Sequence, residues 1–266
     1  KSGTTLLLAL LDSHPELLVF PEETRFFQRV LGHPERCNPD FLFSETAVSV
    51  LGLGKVSMPS GARDYSDIDY RKYQDGLRAH WQAGNKNQQA LFEAIFHAYA
   101  LVKDQFDSKY CVEKTPFNER YLNRAAQMWP DLRAIYIARD PRDNYCSYRK
   151  QRERQVAASD GKDGLSLLSK EEFIAYWLDS LLYWERFSAQ HKNQVLMLRY
   201  EDLVQKPDKE LRHLCDFLGI EWHPGLLIPT RNNQPWSGNS IYGTQHSGIS
   251  TSSVGRYRER LYEDEI

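Results

Sequence analysis

The sequence predicts a three-layer α/β fold, a central parallel sheet flanked by helices. Three observations carry the prediction. Short apolar runs alternate with helical stretches along the chain. The runs are continuous rather than alternating, which suits parallel strands covered on both faces. Charged residues gather just after each run, at the rim where open parallel sheets hold their ligands. With 266 residues, 41% hydrophobic and 26% charged, the chain can bury a full core, and a single domain over 1–266 is expected.

In chain order, Leu6 to Leu11 reads as the body of a first helix, and Leu17 to Phe20 as a brief buried strand. Helices are expected over Asn87 to Gln105 and Asn118 to Met128, with a strand at Tyr110 to Val112 between them. Arg133 to Ala138 is the clearest strand. Helices over Pro141 to Arg152 and Lys170 to Gln190 follow it, then a strand at Val195 to Leu198. A helix over Pro207 to Leu218 ends at Gly219, a residue suited to a C-terminal cap. Gly52 to Asp69 reads as a long loop. Gln155 to Ser169 reads as a surface loop or a mobile cover over a site.

Composition narrows the function. A net charge of −2 argues against a general nucleic-acid binder, so any anion site must come from local clustering of cations. No run of 18 apolar residues exists, so no membrane span is expected. Cys37, Cys111, Cys146 and Cys215 lack zinc or redox spacing, and Cys111 and Cys146 sit in apolar surroundings suited to buried thiols. No H-E-x-x-H occurs, so no metal is expected. A reducing, cytoplasmic location is the default, and a lumenal domain without its anchor would read the same way. The oligomeric state is not legible.

The opening residues Lys1-Ser2-Gly3-Thr4-Thr5 run straight into the first helix. Unpaired N–H groups at a helix start, a glycine that admits close approach, a lysine and hydroxyls together suit a bound phosphate. Ordinary helix capping explains the same residues about as well. The full G-x-x-x-x-G-K-[ST] loop of nucleoside triphosphatases is not present. After the strands come Pro21-Glu22-Glu23-Thr24-Arg25-Phe26-Phe27, then Glu113-Lys114-Thr115-Pro116, then Arg139-Asp140-Pro141-Arg142-Asp143 with Ser147 further on, then Tyr200-Glu201-Asp202-Leu203.

The order KSGTT, SHP with EETRFF, EKTP, IARDPRD-x-x-x-S, LRYEDL and FLGI resembles the sulfotransferases that use 3′-phosphoadenosine 5′-phosphosulfate (PAPS). The likeness runs from Lys1 to the Gly255–Arg258 segment and mixes features of tyrosylprotein and heparan-type carbohydrate enzymes, as many bacterial members do. It implies a P-loop-like fold, PAPS as co-substrate and the bisphosphate PAP as product. It also implies a strand before the opening turn, so that strand is expected to precede Lys1 in a longer chain, the alternative being that the central strand is absent.

The resemblance further implies that Lys1, Ser2, Gly3, Thr4 and Thr5 hold the 5′-phosphosulfate, with Lys1 neutralising charge on the leaving oxygen. Arg139 and Ser147 would take the 3′-phosphate, although Arg139 could instead pair with Asp140 or Asp143. Tyr200 would lie near the adenine, or be an interior tyrosine at a strand end. Glu23 falls on the general base, with Glu22 its neighbouring competitor and a solvated turn the plain alternative for both. Lys114 would stabilise the sulfuryl oxygens, or be a surface lysine paired with Glu113. Ser253, Gly255, Arg256 and Arg258 belong to a loop returning to the cofactor, or to a flexible tail. Trp236 has loop surroundings suited to an acceptor groove.

The expected reaction is in-line sulfuryl transfer to an acceptor hydroxyl or amine, the acceptor being carbohydrate, peptide, lipid or small molecule. Two rivals are an ATP-dependent phosphotransferase and a non-catalytic nucleotide-binding protein. The expectation requires the opening turn and Arg139 to lie together.

Overall fold

The computed structural model describes residues 2–43, 68–159, 169–236, 238 and 248–261, and elements are numbered in chain order among these. It divides into two compact units, Lys1–Leu7 with Leu122–Ile228 and Ser237–Ile266, and Leu8–Tyr121 with Pro229–Trp236.

The first unit is built on two parallel strands. β3 (Ala134–Ala138) pairs with β4 (Val195–Arg199), Ala134 opposite Val195 and Ala138 opposite Arg199. The crossover between them carries α7 (Pro141–Ser159) and α8 (Lys170–Gln190). α8 starts at a full capping box, in which Ser169 Oγ accepts from the Glu172 N–H and Glu172 accepts from the Ser169 N–H. Trp184 and Phe187 of α8 bury against Ala126 of α6 (Leu122–Met128) and Ala134 of β3. Tyr145 and Cys146 of α7 pack with Phe173 of α8 and with Tyr257 and Leu261 near the end. α9 (Tyr200–Gln205) and α10 (Pro207–Leu218) follow β4, and Gly219 closes α10 at φ 62°.

The second unit pairs β1 (Leu17–Val19) in parallel with β2 (Tyr110–Val112). α4 (Tyr70–Ala83) and α5 (Gln88–Lys103) form its helical hairpin, capped by Asp69 and Asn87, whose side chains accept from the Lys72 and Ala90 N–H groups. Tyr73 and Leu77 of α4 are fully buried, as are Leu91, Ala94, Ile95 and Ala98 of α5. Phe20 at the end of β1 meets Phe96 and Tyr99 edge-on, with ring centroids 5.8 and 5.2 Å apart. Phe26 on α2 (Phe26–Arg29) meets Phe92 at 5.0 Å. These aromatic contacts hold the turn after β1 against α5. The short α3 (Pro39–Phe43) and the antiparallel pair β5 (Thr230–Arg231) and β6 (Gln234–Pro235) complete this unit.

All four expected strands and the parallel α/β class are present, with several corrections in detail. Among the described strands, β1 alone is buried throughout. On β4, Leu196 and Leu198 are buried while Met197 is 45% exposed, so this strand is covered on one face. Cys111 is exposed, whereas Cys146 is buried as expected. The stretch 118–128 is a 3₁₀ turn at Asn118–Tyr121 followed by α6. α7 extends to Ser159, so residues 155–159 are helix and not loop. Their Gln-Val-Ala-Ala run favours helix, and the first glycine arrives only at 161. Residues 160–168, and 52–67 of the other expected loop, lie outside the described residues.

Candidate functional site

In the first unit the opening turn, two strand ends and a late loop meet. Gly3 has φ 96°, a left-handed conformation that glycine adopts without steric penalty. It lies against Tyr200 so closely that a Cβ at this position would sit 2.3 Å from Tyr200 Cδ2. The Gly3 carbonyl accepts the first bond of α1 (Thr4–Leu11), from the Leu7 N–H at 3.1 Å. The N–H groups of Thr4, Thr5 and Leu6 precede that first bond and belong to the electropositive helix start. Ser2 Oγ accepts from Asn144 Nδ2 on α7 at 3.3 Å. Lys1 lies outside the described residues.

Arg139, at the end of β3, packs over the same Tyr200 ring, its Cζ 4.6 Å from the centroid. It donates to the Ser253 carbonyl at 2.7 Å and to Ser147 Oγ at 3.5 Å, and both Arg139 and Ser147 are buried. Asp140 binds Arg142 through two bonds of 3.0 and 2.7 Å, and that pairing holds its carboxyl below the usual range. Asp143 accepts from the Gly255 and Tyr257 N–H groups at 2.7 and 2.8 Å, which fixes the 3₁₀ turn Arg256–Glu259. The loop carrying Ser253, Gly255 and Arg256 is therefore docked on α7 and not a solvated tail. Arg256 donates to the Ser252 carbonyl at 3.1 Å, and Arg258 is exposed. Gly3, Arg139, Ser147, Tyr200 and Ser253 thus form one connected cluster.

The second unit holds the carboxylate and lysine. Glu23 Oε1 accepts from Lys114 Nζ at 2.9 Å, and Glu23 Oε2 lies 3.6 Å from Arg25. Glu22 is buried, and its carboxylate pairs with Arg231. The two adjacent glutamates therefore differ sharply. One is an interior ion pair, and the other is partly open to solvent. Arg25 adopts φ 52°, a conformation that costs about 1–3 kcal/mol for a residue with a Cβ. Lys114 reaches Glu23 on the facing turn, while Glu113 accepts from Thr24, Thr115 and Asn118.

Asn144, Asp143, Glu201 and Glu113 were missed by sequence reasoning. Glu201 Oε1 accepts from the Asp140 N–H at 2.9 Å and ties the ends of β3 and β4 together. Each stands inside a quoted motif, but its partner is a backbone group or a distant residue that spacing does not reveal. Among the described residues no group of three metal-ligating side chains occurs, and no helix is long and apolar enough to cross a membrane. Trp236 is half-buried, and most of the loop that follows it lies outside the described residues.

The profile of the Sulfotransferase family matches residues 1–224. The chain belongs to the sulfotransferase family. It is 26% identical over 229 residues to protein-tyrosine sulfotransferase 1 of Danio rerio, covering 85% of this chain and 53% of that protein. The chain spans about half the length of the curated protein-tyrosine relatives it matches first. Two solved sulfotransferase domains share its fold. The domain from the curacin biosynthetic pathway aligns with TM-score 0.63 and 22% identity, over 98% of this chain and 88% of that one. The domain from the Synechococcus PCC 7002 olefin synthase gives TM-score 0.63 and 19% identity, over 98% and 85%.

Proposed function

We propose that this chain transfers a sulfuryl group from PAPS to an acceptor hydroxyl by in-line displacement, as one catalytic domain. The observation that carries the reading is the Tyr200 ring, against which both Gly3 of the opening turn and Arg139 of the β3 end are packed. PAPS carries two separate anionic groups, and the donor set fits that chemistry. The start of α1, with Ser2, Thr4 and Thr5, would hold the 5′-phosphosulfate, and Lys1 would serve the leaving oxygen. Arg139 and Ser147 would hold the 3′-phosphate, with Tyr200 against the base, and Ser253, Gly255 and Arg256 would close that end.

Glu23 is the general base, taking the proton from the acceptor hydroxyl as its oxygen attacks sulfur. Lys114 gives up its bond to Glu23 and offsets charge on the sulfuryl oxygens. The names of the relatives favour peptidyl tyrosine as the first acceptor to try. Radiolabelled sulfate from PAPS should pass to one member of a panel of tyrosine peptide, oligosaccharide, lipid alcohol and small phenol. Retained binding of PAP with no transfer to any of them would leave a nucleotide-binding protein instead.

A further inference from the structure

Glu23 and Lys114 sit on two different turns, and the strand ladder ends before either is reached. Its last bond runs from the Phe20 N–H to the Val112 carbonyl at 3.0 Å. Beyond it a single carboxylate gathers both turns. Thr24 Oγ1 donates to Glu113 Oε1 at 2.8 Å, Thr115 Oγ1 donates to the same oxygen at 2.5 Å, and Asn118 Nδ2 donates to Oε2. The Arg25 N–H donates in turn to Thr115 Oγ1 at 3.0 Å. Thr24 and Thr115 are buried and Glu113 is half-buried, so these bonds are partly shielded from water.

The Glu23–Lys114 bond cannot itself keep its two members in place. In the proposed reaction Glu23 takes a proton while Lys114 moves to the sulfuryl oxygens, so their attraction falls when alignment matters most. We propose that Glu113 is a positioning residue, a staple that fixes the Glu23 turn to the Lys114 turn independently of their ion pair. This rests on the sulfuryl-transfer reading of those two side chains.

The ionised form suits the task, because a carboxylate only accepts, and three donors point at it. An amide would turn its own N–H groups toward one of them. The charged groups around it are Lys114 beside it, and Glu22, Glu23 and Arg25 on the facing turn. Burial pushes the Glu113 pKa up, against the opposing pull of its three donors and Lys114. A carboxylate with a raised folded pKa contributes stability below its unfolded value, and loses it as pH rises through the folded value.

Glu113→Gln should lower kcat about tenfold to a hundredfold, the scale expected of a misaligned base. The KM for PAPS and the affinity for PAP should stay unchanged. Transfer is measured with the panel member that the wild type sulfates fastest. Thr24→Val should repeat the kcat loss and Thr24→Ser should rescue it. A thermal double-mutant cycle of Glu23→Gln with Lys114→Met needs no acceptor. Its coupling should vanish in the E113Q background. Wild-type kcat and intact coupling in E113Q would overturn the proposal, and so would a kcat loss matched by lost PAP affinity. If the wild type transfers nothing to the panel, the sulfuryl-transfer reading falls, and the coupling cycle still decides the role of Glu113.

Discussion

Gly3 carries the sharpest constraint at the scale of single residues. Its positive φ and its contact with Tyr200 each forbid a side chain. Gly3→Ala should weaken PAP binding by at least tenfold while leaving most of the fold intact, since left-handed strain alone costs about 1–2 kcal/mol. Isothermal titration with PAP, alongside thermal melting, separates the two effects. Glu23→Gln should reduce turnover roughly 10²–10⁴-fold and leave PAP affinity as it was. Arg139→Ala should do the reverse, raising the donor KM with a smaller change in kcat. Steady-state kinetics with PAPS varied checks both. Spacing to Arg25-Phe26-Phe27 is what singles out Glu23 as the candidate base in the sequence. The buried pairing of Glu22 was not legible, because its partner Arg231 lies more than 200 residues away.

At the scale of elements, continuous apolar runs located all four strands, and the capping residues Asn87 and Ser169 and the closing Gly219 agree with the helix ends they flank. α4 is harder to read from the sequence, because Gly76 interrupts it and only Tyr73 and Leu77 of its apolar residues are buried. Its packing on α5 makes it a helix, and propensity alone does not. His80 of α4 and His97 of α5 stack at 4.2 Å, and burial together with His80 lowers the His97 pKa. A lowered folded pKa means the unfolded chain binds the proton more readily. Stability is therefore complete above the ordinary value of 6.5 and is lost as pH falls through it toward the folded value. Melting midpoints should decline with acidification in this window, and less steeply in His97→Phe.

For the whole molecule, the proposed reaction assigns charge neutralisation to fixed protein groups, namely a helix start, Arg139 and Lys114. Sulfuryl transfer should therefore persist in excess chelator, and a phosphotransferase working through Mg²⁺ would be silenced by it. Assaying both transfers with and without chelator makes that distinction. The fold class and family motifs could be read from the order of strand ends alone. The late loop could not, since nothing in Ser250–Arg256 announces that Asp143 will anchor it. Asp143→Ala should strip acceptors from the Gly255 and Tyr257 N–H groups and cost about 1–3 kcal/mol in denaturant unfolding.

That anchor also bears on how the molecule comes into being. The guanidinium of Arg139 is oriented by a carbonyl 114 positions downstream. On the proposed reading, a ribosome that has made every helix and strand through α10 would still hold a chain lacking the carbonyl that orients Arg139 for the nucleotide. Affinity for PAP should appear only as residues 250–261 are added, and a nested set of shortened chains should gain stability at the same step, because Tyr257 and Leu261 also complete the core around Tyr145 and Phe173.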